Sequence, residues 1–165
     1  MIDMIKVRKI QNKDWKAVKE LYNEWRTEGT FSVPEWVLSD SQAKDKVREL
    51  LKEDTNLVAE VDSKVCSILE SKQGHLSKDR HTLMITQMNV LKQFRRGDIA
   101  SKLMFELIRV AKRKKIKVIQ LYVIENNRPA ISFYKKFGFG KTGYIKNKYK
   151  FGNKYYNLNI MCKLL

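Results

Sequence analysis

The apolar side chains of this 165-residue chain change period at Leu57, and that change limits the folds open to it. Before it, Trp15, Val18, Leu21, Tyr22 and Trp25 recur at helical spacing, which predicts an amphipathic helix over Asn12 to Arg26 ended by Gly29. A loop through Phe31, Pro34 and Trp36 leads to a second predicted helix, Asp40 to Lys52, with Val47, Leu50 and Leu51 on its apolar face. After it, Leu57 to Val61 and Val65 to Glu70 are short apolar stretches joined at Asp62-Ser63, the pattern of an antiparallel hairpin, and Thr82 to Leu91 extends the meander. From Asp98 the spacing is helical again, with Ile99, Leu103, Met104, Leu107, Ile108 and Ala111 on one face. Val118 to Ile124 is nearly all apolar, as expected of a strand covered on both faces. Pro129 stands at the start of a helix through Tyr134 that Gly138 ends. Thr142 to Tyr149 and Tyr155 to Leu164 form a last hairpin around Phe151-Gly152-Asn153. With Ile5 to Ile10 as a first strand, the predicted order is βαα, three antiparallel strands, then αβαββ. That order describes a mixed α/β sandwich rather than a Rossmann sheet.

No repeat or Pro/Gly/Ser linker interrupts the chain, so a single domain over residues 1–165 is expected. Cys66 and Cys162 are far apart with no metal-ligand spacing, which argues against a disulfide framework or a zinc site; both read as small apolar strand residues, and no metal is expected. No apolar run has the length of a membrane span and the N-terminus does not resemble a signal peptide, so a soluble cytoplasmic protein without a membrane partner is expected. Thirty-four Lys and Arg against 18 Asp and Glu leave a net charge of +16. An anionic partner follows, but charge alone does not choose among nucleic acid, an anionic surface and a phosphorylated small molecule. The run Lys112-Arg113-Lys114-Lys115 is explained as well by a helix C-terminus as by a binding role.

Chemistry concentrates in two stretches. In the first, Val90 to Leu103, a predicted strand passes through Arg95-Arg96-Gly97-Asp98 directly into a helix. Backbone amides at a helix N-terminus are unpaired and the helix dipole adds positive potential, so this is an anion cradle to which Arg95 and Arg96 add full charges. The second runs from Asn126 to Phe139 and holds Asn127, Ala130, Tyr134, Gly138 and Phe139.

Together the two stretches resemble the GNAT superfamily of N-acetyltransferases. The first looks like its Gln/Arg-x-x-Gly-x-Gly/Ala motif, read from Arg95 to Ala100, and the second like its Asn-x-x-Ala-x-x-x-Tyr-x-x-x-Gly-Phe signature, read from Asn127 to Phe139. The resemblance implies an α/β (α+β) fold, a mixed, mostly antiparallel sheet of about seven strands with about four flanking helices. It implies acetyl-CoA as co-substrate and transfer of its acetyl group to a primary amine by direct attack. Carried over by position, backbone around Met88 and Val90 would pair with the pantetheine arm, and amides of Arg95, Arg96, Gly97, Asp98, Ile99, Ala100 and Ser101 would hold the pyrophosphate. Asn127 would also contact the cofactor. Tyr134 would be the general acid that protonates the departing thiolate, where the alternative is a core aromatic beside Phe133 and Phe137.

One position departs from the pattern. Asp98 stands where the motif has its central glycine, and Gly97 lies one place early. A carboxylate about 5 Å from a phosphate charge would repel it by about 3 kcal/mol at an effective dielectric near 20, unless Asp98 instead caps the helix or the loop shifts to use Gly97. The position where histone-acetylating relatives carry a glutamate base is Met84; Glu70, His81 and Glu125 are candidate bases, each also explained as a surface polar residue.

The acceptor is sought in an acidic window, Glu20, Glu24, Glu28, Glu35 and Asp40 against Arg26 alone, interleaved with Trp25, Phe31 and Trp36. Carboxylates and rings suit a cationic amine, while the alternative is that Glu20, Glu24 and Glu28 form a solvated helix stripe at i, i+4 spacing over inward-packed aromatics. A second function class is a weakly active or inactive binding module for RNA or the ribosome. Nucleic acid is not the favoured partner, because no aromatic-rich RNA-binding strand motif or helix-turn-helix pattern is evident. Oligomeric state is left open, a homodimer included.

Overall fold

Residues 5–27 and 37–165 are described by a computed structural model, and their elements follow the order that periodicity predicts. These are β1 (Ile5–Lys9), α1 (Trp15–Thr27), α2 (Asp40–Leu50), β2 (Leu57–Val61), β3 (Lys64–Gln73), β4 (Thr82–Val90), α3 (Ile99–Arg113), β5 (Val118–Ile124), α4 (Arg128–Lys136), β6 (Gly140–Phe151) and β7 (Lys154–Leu164). Differences from expectation lie at the ends of elements. Asn12–Asp14 form a 3-10 turn, so α1 starts at Trp15 rather than Asn12. The buried Asp14 carboxylate explains the turn, since it accepts the Gln11 amide at 2.8 Å and both arms of the Arg8 guanidinium at 2.8 and 2.9 Å. Helix α2 starts on a reciprocal cap between Ser39 and Gln42 and stops at Leu50, leaving Leu51 exposed instead of on the apolar face. The predicted end of the first helix at Gly29 and the loop through Trp36 lie outside the described residues.

The seven strands are ordered β1-β2-β3-β4-β5-β7-β6, and their pairings are antiparallel except β4 with β5, which run parallel from Thr82↔Val118 to Ile85↔Leu121. The β3–β4 pair is antiparallel too, since the Gly74 amide reaches the Thr82 carbonyl at one end and the Leu91 amide the Cys66 carbonyl at the other. A strand followed by a helix and a parallel strand needs the crossover that α3 supplies.

The chain divides into two compact units, Met1–Ser71 with Gln87–Val110, and Lys72–Thr86 with Ala111–Leu165; β3, β4 and α3 contribute residues to both. In the first unit Val18, Leu21 and Trp25 of α1, Ala43 and Val47 of α2, and Leu103, Met104 and Leu107 of α3 are at most 1% exposed. Each large side chain buried this way contributes roughly 1.5–3 kcal/mol, which holds helices whose other faces are charged. In the second, Leu83, Ile119, Leu121, Phe139, Leu158 and Met161 form the core. Strand β5 is not covered throughout as predicted: Tyr122 is half exposed, because its ring has water as well as hydrocarbon to satisfy it.

Candidate active site

In the first unit β4 ends at Val90, Leu91 turns its side chain into the core, and a 3-10 turn at Lys92–Phe94 delivers the chain to Arg95. This end of β4 is tied down from three sides. The Leu91 amide bonds the Cys66 carbonyl at 2.9 Å, the Ser67 hydroxyl donates to the Asn89 carbonyl at 2.5 Å, and the Lys92 amide donates to Glu24 Oε1 of α1 at 2.8 Å. Arg95 folds its Nε back onto the Val90 carbonyl at 2.8 Å, so its guanidinium braces the loop and occupies one of the backbone groups expected to serve the pantetheine arm. Met88 and Val90 are half-buried.

Arg95, Arg96, Gly97 and Asp98 are all exposed, and Ile99 anchors the start of α3 in the core. The first bond of the helix runs from the Lys102 amide to the Asp98 carbonyl at 2.8 Å. The Arg95 amide, expected among the donors, is taken by the Lys92 carbonyl at 3.3 Å, because it closes the 3-10 turn. Among the described residues no acceptor takes the amides of Arg96, Gly97, Asp98, Ile99, Ala100 or Ser101, which leaves a row of donors at the positive end of a 15-residue helix. The left-handed residue of the loop is Arg96, at φ 70°, and not Gly97. Nor does packing demand glycine at 97, where an added Cβ would meet only the Phe94 carbonyl oxygen at 3.9 Å. A glycine required by neither torsion nor neighbours leaves space for a ligand to approach the backbone closely. Asp98 caps α3 through its carbonyl alone; its carboxylate takes no hydrogen bond from the described residues, so the side-chain cap weighed from sequence does not form.

In the second unit Asn127 caps α4: its Oδ1 accepts the Ala130 amide at 3.2 Å, and Pro129 follows in the first turn, where a missing N–H costs nothing. Gly138, at φ 83°, ends the helix in the left-handed conformation. Between these caps Tyr134 is buried, 5.5 Å edge-on from Phe133 and 5.7 Å from Phe139. Burial pushes its phenol up to about 12, so the proton stays on at physiological pH. The hydroxyl has no hydrogen-bond partner among the described residues. Tyr134 is thus a core aromatic and a retained proton at once.

The candidate bases separate. Glu70, read from sequence as a surface residue, is 3% exposed on β3, where Lys46 Nζ lies at 3.0 Å and the Tyr22 hydroxyl donates to it. A buried carboxylate needs such partners, and desolvation with the adjacent charge drives the Tyr22 phenol strongly upward in turn. No local pattern announced Tyr22 and Lys46 as its partners, because they come from different helices. Glu125 is exposed and accepts both the backbone and side-chain amides of Asn157, at 3.1 and 3.0 Å. His81 is exposed, with its carbonyl capping Lys117 and Val118. Met84 is half-buried on β4. In the acidic window Trp25 is fully buried, Glu20 pairs with Lys64 at 3.3 Å and Asp40 with Lys19 at 2.7 Å. Trp25 and Glu20 fit the helix-stripe explanation, whereas the half-buried Glu24 accepts the Lys92 amide and Asp40 stands on α2; Glu28, Phe31, Glu35 and Trp36 lie outside the described residues. Sequence reading also missed Ser67 and the tie from Glu24 to Lys92, because bonds to β4 and its loop that span 22 and 68 residues leave no motif.

Residues 15–139, most of the chain, match the model of the Acetyltransferase (GNAT) family. The chain belongs to that family. Among solved structures it resembles ribosomal-protein-alanine N-acetyltransferase from Brucella melitensis at 22% identity and TM-score 0.85, over 97% of this chain and 99% of that one. An N-acetyltransferase from Staphylococcus aureus Mu50 matches at 18% identity and TM-score 0.86, over 98% of each chain. The Salmonella typhimurium protein yncA, solved with acetyl-CoA, matches at 17% identity and TM-score 0.84, over 98% of this chain and 94% of that one. At these identities the structures bear on the fold, which is the GNAT fold. As a GNAT enzyme the chain is an acetyl-CoA-dependent N-acetyltransferase. Its unpaired amides at Gly97–Ser101 and the open space at Gly97 fit a bound pyrophosphate.

Proposed function

We propose that this GNAT enzyme acetylates a primary amine, on a small molecule or a peptide, by direct attack, with Tyr134 as general acid. The observation that carries the reading is Tyr134 itself: a phenol buried between Phe133 and Phe139, held protonated to about pH 12, whose hydroxyl no described residue engages. Acetyl-CoA, when bound, supplies an activated acyl group on sulfur. Amides of Arg96, Gly97, Asp98, Ile99, Ala100 and Ser101 would hold its pyrophosphate, with Arg95 bracing the loop from within. Backbone near Met88 and Val90 would hold the pantetheine arm, and Asn127, its Oδ1 engaged by the helix cap, would reach the cofactor through its remaining polar atoms. The amine nitrogen forms the new C–N bond as the C–S bond breaks, Tyr134 gives its proton to the departing sulfur, and the proton the nitrogen sheds on becoming an amide passes through water to restore the Tyr134 hydroxyl. Glu70 and Glu125 are already engaged by protein partners, so we assign neither as base; the amine loses its proton to water before attack.

We read the chain as one catalytic domain, since three elements run through both units. We place it in the cytoplasm, where its co-substrate is made and used; among the described residues no helix is long and apolar enough to cross a membrane. An acetyl-CoA titration followed by melting tests the cofactor reading, because a ligand that binds only the folded state raises the melting temperature with concentration. The rise is expected, and an unchanged midpoint at saturating acetyl-CoA refutes it. An amine panel then tests the acceptor: kcat/KM should climb with pH up to each amine's own pKa, and a profile independent of the amine requires a base on the enzyme.

A further inference from the structure

The last 40 residues contain no aspartate or glutamate, while they carry eight lysines and Arg128. Most of this charge sits on the β6–β7 hairpin, where Lys141, Lys146, Lys148, Lys150 and Lys154 are all exposed. Three aromatic rings on the same hairpin face water as well: Tyr144 is 57%, Phe151 49% and Tyr155 56% exposed. Strand β6 is the last of the sheet and is exposed along nearly its whole length.

Register decides how these groups are arranged. Lys141 opposes Met161, Tyr144 opposes Asn159 and Lys150 opposes Tyr155, and the alternation along β7 puts 155, 159 and 161 on one face. Lys141, Tyr144, Lys150 and Tyr155 therefore share that face, where all four are exposed while Met161 and Asn159 are buried and Asn157, also on this face, holds the Glu125 carboxylate. Two contacts show the pairing directly, Lys141 Nζ 5.2 Å from the Tyr144 ring centre and Lys150 Nζ 5.6 Å from that of Tyr155. The face thus repeats one unit, an ammonium beside an aromatic ring, over no more than about 20 Å from Tyr144 to Lys150 at ~3.3 Å per residue. Lysines alone would be explained by protection of an edge strand from pairing. Half-exposed rings work against such protection, so they need another occupant.

We propose that this face of the β6–β7 hairpin binds single-stranded RNA, independently of the acetyl-transfer reaction. Phosphates pair with Lys141 and Lys150, and the adjoining bases stack on Tyr144 and Tyr155. A base can stack on a side chain only when it is free of its own helix, and loops, bulges and ends of folded RNA offer such bases where duplex DNA does not. An acidic peptide would use the lysines and leave the rings in water. A second copy of so basic a hairpin would be repelled.

The test is fluorescence anisotropy on the full chain without acetyl-CoA, using a labelled 12-nucleotide oligouridylate, with a 12-base-pair RNA duplex and polyglutamate as competitors. Wild type should bind the single strand at least tenfold more tightly than the duplex, and polyglutamate should displace it poorly. Tyr144→Ala with Tyr155→Ala should weaken binding tenfold or more while the melting temperature and circular dichroism stay unchanged. Lys141→Gln with Lys150→Gln should flatten the log Kd against log salt slope by about 1.4. Lys112→Gln with Lys115→Gln removes equal charge elsewhere and should leave the preference for single strands intact. Equal affinity for the duplex, equal displacement by polyglutamate, no loss in the tyrosine pair, or the same loss in the Lys112 and Lys115 pair would each overturn the proposal.

Discussion

The Arg95–Ser101 loop and the Asn127–Phe139 stretch carry the two GNAT motifs, yet they are built in opposite ways. The loop offers backbone: its side chains are exposed, its donors are amides, and its glycine stands in open space. The second stretch offers side chains, a capping asparagine and a tyrosine set among rings inside the core. Backbone donors tolerate exchange of the residues that carry them, whereas a buried hydroxyl has no substitute. Mutations should therefore divide by region, with turnover lost in α4 and cofactor affinity tuned in the loop.

The largest effect belongs to Tyr134→Phe. Loss of a general acid should lower kcat by about 100-fold or more with acetyl-CoA affinity and fold retained. Because burial holds the phenol near 12, wild-type turnover should show no alkaline decline from this group near pH 10, where an ordinary tyrosine ionises. Stability follows the same sign: the unfolded phenol ionises first, so the contribution is whole below pH 10 and fades as pH rises through about 12. Intact turnover with lowered stability would reduce Tyr134 to a packing residue and erase the contrast between the regions.

Next comes Gly97→Val, expected to raise the acetyl-CoA Kd about tenfold by filling the space a phosphate would use, with the melting temperature of the free protein unmoved. Calorimetric titration reads the first and a melt the second. Asn127→Ala removes a cap and should cost about 1 kcal/mol, roughly 3 °C in Tm for a chain of this size. A Kd that moves while Tm does not would make the asparagine a ligand rather than a cap. The smallest change is expected from Asp98→Gly, whose exposed carboxylate is screened by water; affinity for acetyl-CoA should tighten by up to about fivefold. No tightening would mean that the carboxylate faces away from the pyrophosphate.

Local signals carried far along this chain. Trp15, Val18, Leu21 and Trp25 announced α1 by spacing, and Pro129 and Gly138 announced the ends of α4, because these residues act on the backbone within one turn of themselves. The beginning of α1 was misplaced by three residues because Asp14 is held by Arg8 on β1, which spacing within the helix cannot register. Both motifs were legible for the same reason: a helix N-terminus with free amides and a capped helix are local objects.

The sequence by itself determined the kinds and order of elements, the two motifs and the family they point to, since each depends on residues a few places apart. Only the tertiary structure decided that Glu70 is buried against Lys46 and Tyr22, that Arg96 rather than Gly97 takes the left-handed turn, and that Lys141, Tyr144, Lys150 and Tyr155 share a face. Burial is set by what other segments cover. Facing across a hairpin is set by register, which the irregular pairing between Ile145 and Tyr149 shifts and no periodicity along β6 records.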